Sequence, residues 1–354
     1  MQNLIPAQDV GADRRIGVTV LTGFLGSGKT TLLNRLVRDP AYADAAVIVN
    51  EFGDVGVDHH LLRHADARIV LLEGGCICCT VNGGLVDTLR ELFMQALRRQ
   101  IPPFRRVLVE TTGLATPAPI LFTLRHEHFL AERYVYRGTI TVVDAQHIAG
   151  QLSAQPEAAQ QVALADVIAC SKSDLVDPAA LARALDAVAQ VNPGAAVCVQ
   201  RQDAPLDARL LAPVPARAPA GGGATQGWLG AFTTPRRGSP HPHVRHVVLE
   251  LPLPITRAAF LTGMARIQEA HHRGLLRIKG LIAFQGEPAP CAIHGVHRDL
   301  YPPDPLDAWP DGDRRSRLVF IVRGLDPAAL GRAVLQALGQ PVPDEVPPVP
   351  GNTV

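Results

Sequence analysis

GVTVLTGFLGSGKT, residues 17–30, runs a buried-strand pattern directly into a glycine-rich turn and the start of a helical stretch at 30–38. Its last eight residues fit G-x-x-x-x-G-K-[ST], and strand before, helix after is the context in which that pattern forms a phosphate cradle. Gly23, Gly26 and Gly28 let backbone N–H groups turn inward around a β-phosphate. Ser27 and Thr31 complete the loop and the first helical turn, and the helix start adds a field favourable to anions. Lys29 is spaced to reach β- and γ-phosphate oxygens, and the Thr30 hydroxyl to ligate Mg²⁺.

Outward from this stretch, short apolar runs at 46–50 (AVIVN), 69–72 (IVLL), 106–110 (RVLVE), 139–143 (TITVV) and 167–170 (VIAC) are of strand length. Helical stretches at 86–99 and 178–190 lie between them. Alternating strands and helices predict a mostly parallel sheet covered on both faces, because parallel strands need crossovers. The expected organisation is an N-terminal tail at 1–15 and an α/β P-loop domain with a mostly parallel sheet at 16–211. A flexible linker follows at 212–243, opening with APVPARAPAGGGATQG. Residues 244–340 read as a smaller α+β domain, with strands at 244–250, 277–284, 290–297 and 317–322. Its helices are expected at 256–268, capped by Thr256, and at 328–338 after the Asp326-Pro327 cap signal. The Pro-rich tail at 341–354 is expected to be disordered.

Composition narrows the classes. In 354 residues about two domains are expected, and 47% hydrophobic with 19% charged residues fits a folded globular chain. Thirty-four basic against 33 acidic residues give +1, so neither nucleic acid nor an anionic membrane is expected as a partner. No apolar run approaches the ~20 residues of a membrane span, and residues 1–15 lack a signal-peptide core. Cytoplasmic location is expected.

Two further segments suit a nucleotide. Glu110 closes an apolar strand, where a carboxylate can reach the Mg²⁺ shell or the attacking water, and Gly113 can bring a backbone N–H near the γ-phosphate. In Ser171-Lys172-Ser173-Asp174, Asp174 can accept from guanine N1–H and the exocyclic amine, and the Lys172 stem can pack along the base. Ser171 stands where guanine-binding P-loop proteins usually carry Asn or Thr. The reading is GTP over ATP.

Six cysteines are present, three of them within GGCICCT at 74–80. Cys76, Cys78 and Cys79 make a soft-ligand site suited to Zn²⁺ and other thiophilic ions. Adjacent cysteines close a disulfide only with strain. Cys170, Cys198 and Cys291 read as small core residues. His59, His60, His64, His241, His243, His246, His271 and His272 can be read as accessory metal ligands or as solvated side chains.

The succession GFLGSGKTTLLN, NEFG (50–53), GGCICCT, ETTGLATP (110–117), TVVDA (141–145) and SKSD resembles the CobW-type metallochaperone GTPases, P-loop proteins related to the nickel-insertion proteins of urease and hydrogenase. The resemblance continues more loosely through LLRIKGLIAF (275–284) and RRSRLVFIVRGLD (314–326). It implies slow GTP hydrolysis and a divalent transition metal, zinc or cobalt, on Cys76, Cys78 and Cys79, with Glu51 as an added ligand or contact. It also implies delivery to a client metalloprotein, and homodimers occur among related GTPases. Thr116 departs from the family, which often has Asp there. Two rival readings are a nucleotide-modulated metal buffer without a client and a P-loop kinase with a structural zinc. ETTG and SKSD disfavour the kinase.

Overall fold

The computed structural model describes residues 15–50, 69–72, 84–201, 204–211, 244–306, 308–309 and 314–343. Glu51, Cys76, Cys78 and Cys79 lie outside the described residues, as do His59, His60, His64, His241, His243, the linker and the terminal tails.

The first unit is a sheet of seven strands, all parallel: β1 (Ile16–Thr22), β2 (Ala45–Asn50), β3 (Ile69–Leu72), β4 (Arg106–Glu110), β5 (Tyr134–Asp144), β6 (Val167–Ser171) and β7 (Ala196–Val199), in the order β3-β2-β4-β1-β5-β6-β7. Helices cross between them: α1 (Lys29–Arg38), α2 (Val86–Leu97), α3 (Ala118–His126), α4 (His128–Arg133), α5 (Ile148–Ala154), α6 (Pro156–Leu164), α7 (Pro178–Val191) and the short α8 (Ala208–Leu211). The expected strands are all present. β5 begins five positions before its apolar run because Tyr134, Val135 and Tyr136 pair with Ile16, Gly17 and Val18 before a register shift at Val18/Thr19.

One face of this sheet buries Leu21, Leu33, Leu36, Val47, Leu108 and Ile140, the other Val18, Val20, Ile48, Leu89, Val107 and Leu130. Both faces are apolar, which explains the near-continuous hydrophobic runs. Cys170, Cys198 and Cys291 are buried free thiols, and burial pushes Cys170 up to about 11 and Cys198 up to about 12. They are inert core residues, as expected.

The second unit is antiparallel: β8 (Arg245–Leu251), α9 (Arg257–His271), β9 (Leu275–Ile282), β10 (Cys291–Val296), β11 (Asp299–Leu300), β12 (Asp304–Pro305), β13 (Ser316–Val322) and α10 (Pro327–Ala337). Thr256 Oγ1 accepts from Ala259 N at 3.2 Å and Asp326 Oδ2 from Ala329 N at 2.7 Å, so both expected caps form. Phe320 and Ile278 pack with α9 and α10, whereas Val319, Ile321, Leu276 and Leu281 turn the other way, onto Ala163, Ile168 and Val188 of the first unit. Along β13 the alternation is the ordinary period of a strand, and a register shift at Ile321/Val322, which skips Leu276, turns Leu276 away from the face of Ile278. Here both faces of the strand are covered.

A polar knot crosses this junction. Asp166, at the start of β6, accepts from Tyr136 Oη at 2.8 Å, from Thr139 N at 3.0 Å and from Arg277 of β9, with Lys279 Nζ at 3.5 Å. Arg277 also donates to the Leu164 carbonyl, and His246 Nε2 donates to the Val191 carbonyl at 2.9 Å. Burial alone would raise the Asp166 carboxyl; the charges of Arg277 and Lys279 and the two hydrogen bonds hold it well below the usual carboxylate range. His294, opposite Lys279 in the β9–β10 register, is pushed down to about 3 by burial and by the charges of Lys279 and Arg277, with Asp166 opposing.

The sign of the resulting pH dependence follows. Between about pH 3 and the ordinary histidine range the unfolded chain binds a proton at position 294 that the folded chain does not, so stability falls as pH falls. Taking the solution from pH 6.5 to 4.5 is expected to lose about 2 kcal/mol at this residue, and Asp166 adds in the same direction at lower pH. Urea unfolding at the two pH values, for the wild type and His294→Gln, checks this: the variant should show the smaller drop.

Among the described residues no helix is long and apolar enough to cross a membrane.

Candidate nucleotide site

The site lies at the carboxyl ends of the central strands. Gly23, Gly26 and Gly28 take φ of 147°, 71° and 91°, left-handed backbone that glycine adopts without strain. A Cβ on Gly23 would stand 2.3 Å from the Val142 carbonyl oxygen, so only glycine lets the loop fold back against β5. Gly28 is the N-cap of α1, and its carbonyl accepts the Leu32 N–H at 3.0 Å. Lys29 Nζ arches back onto the carbonyls of Gly23 (3.0 Å) and Phe24 (3.3 Å), which holds the ammonium over the loop. The Ser27 hydroxyl is fully buried in the loop without a hydrogen-bond partner among the described residues, as an anion-binding cradle would leave it. Thr31 is exposed on the first turn of α1.

Glu110 pairs in register with Leu21 of β1 and Val49 of β2 and is only 4% exposed. Its Oε1 accepts from Thr30 Oγ1 at 2.9 Å. A hydroxyl and a buried carboxylate meeting at the end of two strands form a hard-oxygen donor set that fits Mg²⁺. The loop after β4 folds over the cradle. A Cβ on Gly113 would stand 2.6 Å from Leu25 Cδ2 and 2.8 Å from the Leu25 nitrogen. Close approach, not φ, requires glycine here.

At the other side of the cradle, Ser171 Oγ lies 2.7 Å from the Ser27 carbonyl and 3.0 Å from that of Val143, and its single proton serves one at a time. Serine thus ties the cradle to β5 without the longer amide side chain. Lys172, itself left-handed at φ 55°, donates to the Gly26 carbonyl at 2.8 Å and to Asp144 Oδ2 at 2.7 Å. Burial would raise the Asp144 carboxyl, but hydrogen bonds from Lys172, His147 and the Gln146 N–H hold it below its ordinary value. Asp174 is exposed just beyond, in a short 3-10 turn.

Two residues with a part in this arrangement were not anticipated. Asp144, in TVVDA, ends β5 and pairs in register with Ser171, so the two motifs are neighbours in space. Gln161, 1% exposed on α6, donates to the carbonyls of Gly113 (3.1 Å) and Ala115 (2.9 Å) and fixes the loop that covers the cradle. The Thr116 hydroxyl in that loop is buried without a hydrogen-bond partner among the described residues. No group of three or more His, Cys, Asp or Glu able to hold a metal ion occurs among the described residues. His246 is engaged with Val191 and His272 Nδ1 with the Glu269 carbonyl at 3.0 Å.

Fold and cradle together are those of a P-loop nucleotide-binding protein. Residues 17–199 match the CobW/HypB/UreG nucleotide-binding domain, and residues 244–338 match the cobalamin synthesis protein cobW C-terminal domain. The chain belongs to the CobW family. It is 34% identical to the zinc chaperone YjiA of Escherichia coli over 86% of this chain and 93% of that one. It is 30% identical to the zinc chaperone CobW of Pseudomonas aeruginosa, over 92% of each. The crystal structure of Zn(II)-bound YjiA GTPase from E. coli superposes with a TM-score of 0.66 at 27% identity, covering 91% of this chain and 99% of that one.

Proposed function

We propose that this GTPase loads a divalent transition metal, zinc or cobalt, on Cys76, Cys78 and Cys79 with Glu51 as an added carboxylate, and passes it to a client metalloprotein under the control of GTP. The observation that carries the reading is strand register. Val49 pairs with Glu110, and Asn50 pairs with Leu72. The chain therefore leaves β2 toward Glu51, and β3 toward the cysteines, at neighbouring points on the edge that carries the nucleotide residues. The relatives' names, zinc chaperones, support the same cargo.

In this reading Lys29 and the cradle N–H groups hold the β- and γ-phosphates, and Thr30 and Glu110 hold Mg²⁺. When bound, that ion neutralises charge developing on the phosphate oxygens. Gly113 offers its N–H to the γ-phosphate, Asp174 reads guanine, and Lys172 braces the cradle beneath it. Segments near a γ-phosphate reorganise when it leaves, which gives the metal site something to respond to.

The test is reciprocal. Zinc titrated into the full chain, with a chelator competing, is expected to bind at least ~5-fold more tightly when a non-hydrolysable GTP analogue is present. Zinc should tighten the analogue by the same factor. Cys78→Ala is expected to lose zinc affinity while keeping the analogue. Equal zinc affinity with and without nucleotide would defeat the coupling.

Gly113→Ala separates the covering loop from the cradle. Because its methyl would collide with the Leu25 backbone, GTP turnover is expected to fall about 100-fold. GDP, which has no γ-phosphate, should bind as before. Turnover and GDP affinity measured on one preparation decide it.

A further inference from the structure

A second cavity, of about 550 Å³, opens at the opposite end of the parallel strands, where β1, β2 and β4 begin. The length of β1 separates it from the cradle by about 20 Å. Among the described residues its lining brings together four guanidinium groups, Arg15, Arg105, Arg106 and Arg137, and one carboxylate, Asp44. In a chain whose overall charge is +1 this is a local concentration of one sign.

The four arginines are not equally engaged. Arg15 Nη1 donates to the Ala131 carbonyl at 3.0 Å. Arg106 lies over the Tyr42 ring, 5.6 Å from its centroid, reaches the Leu211 carbonyl at 3.5 Å and has Asp44 at 3.9 Å. The side chains of Arg105 and Arg137 have no hydrogen bond or ion pair with any described residue, although Arg137 is half-buried. Arg137 lies across the start of β1 because Gly17 has no side chain: a Cβ there would stand 2.8 Å from Arg137 Cγ. A half-buried guanidinium with no counter-charge among the described residues is costly unless something anionic completes it. Asp44 offsets only one of the four.

We infer that this cavity is a second anion site, taking a small phosphate-bearing molecule of at least two negative charges. A single carboxylate would leave most of the excess charge standing. Phosphate oxygens match the two-pronged donor geometry of guanidinium, and several arginines can share one phosphate. The volume falls in the range of small-molecule sites.

The probe is inorganic pyrophosphate, titrated calorimetrically into the full chain with the cradle already saturated by a non-hydrolysable GTP analogue. One further equivalent is expected to bind. The double variant Arg105→Ala/Arg137→Ala should weaken it at least ~10-fold while leaving the analogue's affinity unchanged. Asp44→Asn, which removes the opposing carboxylate, should tighten it several-fold, a change that misfolding does not produce. No pyrophosphate binding beyond the cradle, or equal binding by the wild type and both variants, would overturn the site. Citrate binding as tightly as pyrophosphate would overturn the choice of phosphate.

Discussion

Glu110→Gln is expected to cut GTP turnover at least ~100-fold, with the Mg²⁺ concentration for half-maximal activity rising about tenfold. The side chain is buried at the end of β4 and accepts from Thr30 Oγ1 at 2.9 Å. The amide keeps the volume and can keep that hydrogen bond, so the fold should hold and the thermal midpoint should stay close to the wild type. What goes is the negative charge, which in the proposed function a divalent cation needs beside the threonine hydroxyl. GDP binding without Mg²⁺ should be nearly unchanged. Turnover within a few-fold of the wild type would mean that the carboxylate serves the fold and not the ion.

Asp166→Ala should be the most destabilising single change at the junction, about 3–5 kcal/mol by urea unfolding. The carboxylate is 7% exposed and Arg277 5% exposed, with Lys279 close by. Removing it takes the counter-charge from buried Arg277 and from part-buried Lys279 and strips the acceptor from Tyr136 and the Thr139 N–H. Asp166→Asn retains an acceptor oxygen and should cost clearly less. Equal losses in the two variants would show that the lost charge, common to both, and not the acceptor oxygen sets the effect.

The parallel sheet and the cradle were legible because their signals are local. A strand buried on both faces is a short apolar run, and a phosphate loop needs its glycines and lysine at fixed spacing. The caps Thr256 and Asp326 were equally local. β7 escaped because AVCV at the sheet edge is short and only its cysteine is buried. Gln161 escaped for a different reason. In the α6 sequence PEAAQQVAL two glutamines are adjacent, and tertiary packing alone decides that Gln161 is buried while Gln160 is only partly so. Asp166 likewise looks like an ordinary polar residue before a strand; Arg277 and Lys279, far along the chain, make it a buried counter-ion. Ser171 was legible as a departure, but its bond to the cradle carbonyl depends on how β5 and β6 pair.

Helix α6 has no slack at its carboxyl end. Its nine residues span about 13 Å. From its last turn Gln161 grips the loop at Gly113, while Asn192 Nδ2 sits 2.9 Å from the Val162 carbonyl and Arg277 of the second sheet holds that of Leu164. A loop that shifts when a terminal phosphate departs must therefore either break a buried bond or drag the helix with it. The antiparallel sheet is moored to the same short rod through Arg277, so a tilt of that helix would be carried into it.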